Sequence, residues 1–145
     1  PRGRFPMIVL DTNVLSEPLK ATPAERVVAW LDNQPAETLF ITAVTRAELL
    51  YGVLRLPQGK RRNNLLAQVE QILNLFEGRT LAFDSPAADK LANIAAACEK
   101  SGKRALAPDA YIAACAAAHD FAVATRNKSR FAHLGVPVIN PWEGP

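Results

Sequence analysis

The sequence predicts a single α/β domain with a mainly parallel central sheet of four to five strands flanked by helices. Short apolar runs alternate with longer stretches of helical periodicity, the pattern of strand–helix–strand units. Met7-Ile8-Val9-Leu10 is apolar at every position, as expected of a strand covered on both faces. At 145 residues, 49% hydrophobic and 21% charged, the chain has the length and balance for one buried core.

Residues 1–6 are read as a leftover outside the fold, with Met7 as the natural start and the domain over 7–145. The first strand ends at three small polar residues, Asp11-Thr12-Asn13. A helix is expected from near Thr22, where Thr22, Pro23 and Glu25 supply an N-cap, an N1 proline and a reciprocal carboxylate. Val27, Trp30 and Leu31 give it an apolar face. Leu39-Phe40-Ile41 reads as the second buried strand, 45–54 as helix and Gln58-Gly59 as a break. A longer helix follows over 60–76, with Leu65, Leu66, Val69, Ile72, Leu73 and Phe76 on one stripe. The third strand is expected over 80–83. Ser85-Pro86 opens a helix through Leu91, Ile94, Ala95 and Cys98, ending near Ser101-Gly102. Pro108 suits the first position of a helix over 109–118. Residues 121–124 read as the fourth strand and 136–139 as a short fifth, kept at an edge by Pro137. Pro141-Trp142 reads as a tail packed on the body. No repeat, low-complexity segment or interdomain linker is visible.

The net charge of +3 permits a polyanionic partner without demanding one. Basic residues gather at Lys60, Arg61 and Arg62, at Lys103 and Arg104, and at Arg126, Lys128 and Arg130; each cluster alone reads as a solvated loop or helix end rather than a nucleic-acid contact. No apolar run is long enough to cross a bilayer, and no secretory signal pattern is visible, so no membrane role and a cytoplasmic location are expected. Cys98 and Cys115 lack CxxC spacing and read as small buried thiols rather than a disulfide or metal site. His119 and His133 have no partner pattern. Tyr51, Phe76 and Trp142 read as core or interface residues rather than base-stacking platforms.

Carboxylates carry the chemical signal. Ligands of open parallel sheets bind outside the carboxyl ends of the strands. Asp11 follows strand one, Glu48 lies early in the helix after strand two, Asp109 opens a later helix, and Thr125-Arg126-Asn127 follow strand four. Convergent carboxylates repel unless a cation joins them. Oxygen donors without His or Cys select a hard cation such as Mg2+ or Mn2+, and such an ion suits phosphodiester hydrolysis. Each acid also has a plainer reading: Asp11 as a turn residue, Glu48 as the partner of Thr45 in a capping box, Asp109 as a helix N-terminal charge.

Four stretches in order carry a family resemblance. Ile8-Val9-Leu10-Asp11-Thr12-Asn13-Val14-Leu15-Ser16 resembles the opening of PIN-domain proteins. Thr42-Ala43-Val44-Thr45-Arg46-Ala47-Glu48-Leu49-Leu50-Tyr51-Gly52, Pro108-Asp109-Ala110-Tyr111-Ile112-Ala113-Ala114 and Ala124-Thr125-Arg126-Asn127 resemble their next three motifs. The closing Val138-Ile139-Asn140-Pro141-Trp142 is similar to the VapC-like and FitB-like toxins. The resemblance covers the chain from Met7. It implies a PIN-like domain and a Mg2+- or Mn2+-dependent endoribonuclease acting as the toxin of a toxin–antitoxin pair. It further implies a homodimer and a small DNA-binding antitoxin whose tail blocks the acidic pocket, in higher assembly on operator DNA. Carried over by position, Asp11 and Asp109 would hold the metal and Glu48 would complete the acidic centre, directly or through water. Thr12, Asn13 and Thr125 would be polar support. Arg46 and Arg126 would lie close to the pocket rim, reading equally as RNA phosphate contacts and as surface charges or structural partners of the acids, and Arg130 could contact phosphate.

One departure stands out. Many members carry a fourth acid just after the Thr-Arg pair, where this chain has Asn127 and Arg130. Asn127 keeps a place in the catalytic set as a neutral carbonyl donor, and one firmly bound ion is expected rather than two. Two alternatives follow: a PIN scaffold of little or no activity that binds RNA or a partner, and a metal-dependent nuclease acting on DNA. A phosphatase reading of Asp11 would want a second Asp where Asn13 stands.

Overall fold

The structure, a computed structural model, describes residues 6–102 and 106–143. The Lys103–Arg104 cluster and most of the leading segment fall outside the described residues. Five strands, β1 (Ile8–Leu10), β2 (Leu39–Thr42), β3 (Thr80–Leu81), β4 (Ala122–Ala124) and β5 (Val138–Ile139), form one sheet in the order β3-β2-β1-β4-β5. Every pairing is parallel. The chain builds outward from β1 through β2 and β3, then returns to add β4 and β5 on the other side. The strand order therefore reverses between β1 and β4, where a crevice opens at the carboxyl ends. Leu10 pairs with Ala124, and the Asp11 amide donates to the Ala124 carbonyl at 2.9 Å. Asp11 and Thr125 thus leave the sheet side by side.

Strand β1 is buried on both faces, as its unbroken apolar run requires. Val9 joins Val123 and Phe131 in one core, under α5 (Ser85–Lys100), α6 (Pro108–Ala118) and α7 (Lys128–His133). Ile8 and Leu10 join Leu39, Ile41 and Ala124 in the other. That core is covered by α1 (Thr12–Ser16), α2 (Glu25–Asp32), α3 (Ala43–Leu54) and α4 (Lys60–Leu75). Helix α6 buries Ala110 and all of residues 112–116, so its small side chains must let α5 and the sheet approach closely. Ala114→Leu would force extra methylenes into this seam. A loss of about 1–3 kcal/mol in urea unfolding is expected.

Helices α1 and α7 and a 3-10 turn over Glu17–Leu19 were not predicted. They are too short to show a hydrophobic period, and α1 depends on Asp11, whose Oδ1 accepts the Thr12 amide at 2.8 Å. The expected start of α2 also needs correction. Thr22 lies outside the helix, Ala24 is the N-cap and no side chain of the Thr22–Glu25 segment caps it. Instead Glu17 reaches across, its Oε2 accepting the Ala24 amide at 2.8 Å while Lys20 lies 2.9 Å from Oε1. Helix α3 starts two residues earlier than expected, capped by Thr42.

Glu17 is 3% exposed. The Ala24 amide, and then Lys20, hold its carboxyl below the usual carboxylate range. A lowered folded value means stability that is present above the unfolded value and is lost as pH falls through the folded one. Glu17→Gln is therefore expected to lower the midpoint near pH 7 by about 2–4 °C. The gap to wild type should close in thermal scans as pH drops below the carboxylate range.

Candidate functional site

Two strand ends and three helix N-termini build one cleft. Its lining includes Asp11, Thr12, Asn13, Ser16, Glu48, Asp109, Asn127 and Phe131. At about 520 Å³ it is far larger than a cation needs and falls in the range of small-ligand sites. Asp11 is the N-cap of α1, Asp109 sits in the first turn of α6 and Glu48 in the second turn of α3. The positive ends of these helices offset part of the negative charge they bring together.

Asp11 is held from two sides. Besides the Thr12 amide on Oδ1, the Thr125 hydroxyl donates to Oδ2 at 2.8 Å. Its residue exposure is only 8%. Burial pushes its carboxyl above the usual range; the two hydrogen bonds oppose this, and the charges of Glu48 and Asp109 add to it. Glu48 is half-buried. The Thr12 hydroxyl donates to its Oε1 at 2.6 Å and lies 3.1 Å from the Thr45 hydroxyl, which in turn lies 3.5 Å from that of Thr42. The capping box of Thr45 with Glu48 does not form: Thr42 caps the Thr45 amide at 3.1 Å, leaving Glu48 to the cleft.

Asp109 meets a guanidinium. Arg130 Nε donates to Oδ2 at 3.0 Å and Nη2 to Oδ1 at 3.3 Å, a two-armed pair. The carboxylate raises the arginine's already high pKa further. Asn127 lines the cleft, and its backbone N–H donates to the Thr125 hydroxyl oxygen at 3.0 Å. Asn13 accepts the Arg126 amide at 3.2 Å, tying the end of β4 to α1.

The other expected site residues lie at varying distance. Thr125 is fully buried beneath the cleft as a support of Asp11. Arg126 is exposed and stacks over Trp142, 5.0 Å from the ring centre. Arg46 is not among the lining residues of this cleft. It borders a separate depression with Leu73, Asn74, Glu77, Gly78 and Thr80, because residues two apart on a helix, as Arg46 and Glu48 are, do not share a face. Tyr51 points outward, whereas Phe76 is core and Trp142 is packed against it. Cys98 and Cys115 are buried, and burial pushes the Cys115 thiol up to about 11, so Cys115 supplies no nucleophile near neutral pH.

Sequence reasoning missed Ser16, which lies one helical turn after Thr12 and lines the same cleft. It also missed the Thr42–Thr45–Thr12 hydroxyl series. The i, i+3 spacing of Thr42 and Thr45 was a legible signal; the reach of Thr12 across to α3 was not.

The cleft presents carboxylate, hydroxyl and amide oxygens and no His or Cys, a donor chemistry that fits Mg2+ or Mn2+. Among the described residues no three acids stand close enough together to enclose one ion as they are, and Asp109 has both oxygens on Arg130.

A model of the PIN domain matches residues 8–137. The chain belongs to the PIN-domain family. This PIN domain is 50% identical to Toxin FitB of Neisseria gonorrhoeae over 137 residues, covering 94% of this chain and 99% of that protein. It is 48% identical over 138 residues to VapC ribonuclease Y4jK of Sinorhizobium fredii, with the same coverage. Among solved structures it resembles FitAcB of Neisseria gonorrhoeae with TM-score 0.88 at 50% identity, over 94% of this chain and 99% of that one. The structure of FitAB bound to an IR36 DNA fragment gives TM-score 0.91 at 48% identity, over 96% and 98%. The PIN sheet and its acidic crevice therefore sit in a branch of the family that includes VapC-like and FitB-like proteins.

Proposed function

We propose that this PIN domain is a Mg2+- or Mn2+-dependent endoribonuclease and the toxin of a toxin–antitoxin pair. The observation that carries this is the convergence of Asp11, Glu48 and Asp109 in one cleft free of His and Cys, in a chain half identical to a toxin and to a ribonuclease. Asp11 and Asp109 would hold the ion, with Glu48 joining directly or through water. When bound, the ion supplies Lewis acidity, an acidified water and a counter-charge for the phosphate.

The chain's own residues do the rest. The Thr12 amide and Thr125 hydroxyl fix the Asp11 oxygens, and the Thr12 hydroxyl fixes Glu48, so the donors are oriented before substrate arrives. Asn127 offers a neutral carbonyl at the cleft mouth. Arg126 and Arg130 supply guanidiniums for backbone phosphates. A cognate antitoxin that covers the acidic cleft, a homodimer and an assembly on operator DNA follow from the same reading, as does a cytoplasmic site of action. Among the described residues no helix is long and apolar enough to cross a membrane.

The second reading is an RNA- or partner-binding PIN scaffold of little activity, favoured by the two-armed hold of Arg130 on Asp109. The test is cleavage of RNA and of single-stranded and flap DNA by the purified protein, with Mg2+ or Mn2+ against EDTA. RNA cleavage that needs the metal supports the proposal. Cleavage of DNA with RNA left intact would move the substrate to DNA, and RNA binding without turnover in any metal would favour the scaffold.

A further inference from the structure

Asp109, which lines the cleft, forms a shielded pair with Arg130, their side chains 24% and 18% exposed. The fork spends both carboxylate oxygens on one guanidinium. Its position is well anchored: Phe131, the next residue on α7, is fully buried and itself lines the cleft. Asp109 opens α6, whose following turn is also buried. Asp11 and Glu48, by contrast, are held among the described residues by neutral donors, the Thr12 amide and hydroxyl and the Thr125 hydroxyl. Of the three acids in the cleft, Asp109 is thus the one joined to an arginine among the described residues. A guanidinium and a divalent ion on one carboxylate repel each other at close range.

The geometry points to Arg130 as an internal counter-cation that competes with the divalent ion for Asp109. Loading the site then exchanges a guanidinium for the ion, and Arg130 turns to whatever anion the cleft admits. The pair sets a threshold metal concentration below which Asp109 stays capped. This rests on the reading of the cleft as a cation site.

Mn2+ titration by calorimetry separates the two. Wild type, Arg130→Met, Arg130→Lys and Asp11→Asn are compared, each checked for folding in EDTA. Freed of a charge-assisted fork, Arg130→Met is expected to bind Mn2+ about tenfold more tightly than wild type. Arg130→Lys, which keeps the charge without the fork, should fall between them, and Asp11→Asn should bind more weakly. The wild type provides a second readout that needs no variant: the Arg130 Nε–Hε resonance should shift toward its solvent-exposed position as Mg2+ is added, with the midpoint of metal binding. Equal or weaker Mn2+ binding by a folded Arg130→Met overturns the inference, as does saturation by Mg2+ with that resonance unmoved, while weakened binding by Asp11→Asn leaves the cation site standing. Absence of Mn2+ binding in all four proteins overturns both.

Discussion

Asp11→Asn is expected to lower metal-dependent RNA cleavage by at least about a thousandfold, the loss of roughly 4 kcal/mol of transition-state stabilisation. The substitution keeps the shape of the side chain and leaves a carbonyl to accept the Thr12 amide, so α1 should remain capped. It removes the charge from the most buried of the three acids. Burial disfavours that charge in the metal-free protein, so the variant should be at least as stable as wild type in EDTA. The measurement is initial cleavage rate on a labelled RNA at saturating Mn2+, beside an unfolding curve. Undiminished, metal-dependent cleavage by a folded Asp11→Asn would remove Asp11 from the proposed centre.

Saturating Mn2+ is expected to raise the thermal midpoint of the wild type. An ion that binds only the folded state at a hundred times its Kd adds about 2.7 kcal/mol, which in a domain of this size corresponds to about 5–10 °C. The physical source is the relief of repulsion at Asp11, whose buried carboxyl is pushed further up by the charges of Glu48 and Asp109 in the same cleft. EDTA should reverse the gain, and Asp11→Asn should show much less of it. A midpoint indifferent to Mn2+, Mg2+ and EDTA alike would argue against the cation site. These two results bear on different steps: a metal-stabilised protein that leaves RNA uncut keeps the cation site and loses the nuclease.

Much of the framework was readable from residues alone. The strand β1 announced itself because a segment covered on both faces must be apolar at every position, and Ile8, Val9 and Leu10 are. The long helices α4 and α5 announced themselves because sixteen residues contain enough turns to display a stripe. The acids of the cleft were legible for a related reason: Asp11 and Thr125 directly follow strands, and the carboxyl ends of parallel strands share one edge.

What remained hidden depends on groups distant in sequence. The cap of α2 comes from Glu17 rather than from Thr22, because a buried carboxylate eight residues before the helix outcompetes a local hydroxyl exposed to water. Arg46 and Glu48 stand two apart on α3, and helix rotation alone sends one to a different depression from the other. The sequence offers Arg130 as a phosphate contact and carries no sign of its hold on Asp109, twenty-one residues away. The sequence by itself determined the parallel α/β class, the apolar strands and the identity of the three acids, since those follow from periodicity and from the order of strands and turns. Only the tertiary structure decided which cation meets which carboxylate, because a charge pair is set by the positions of two helices packed on one face of the sheet, and no local pattern encodes that distance.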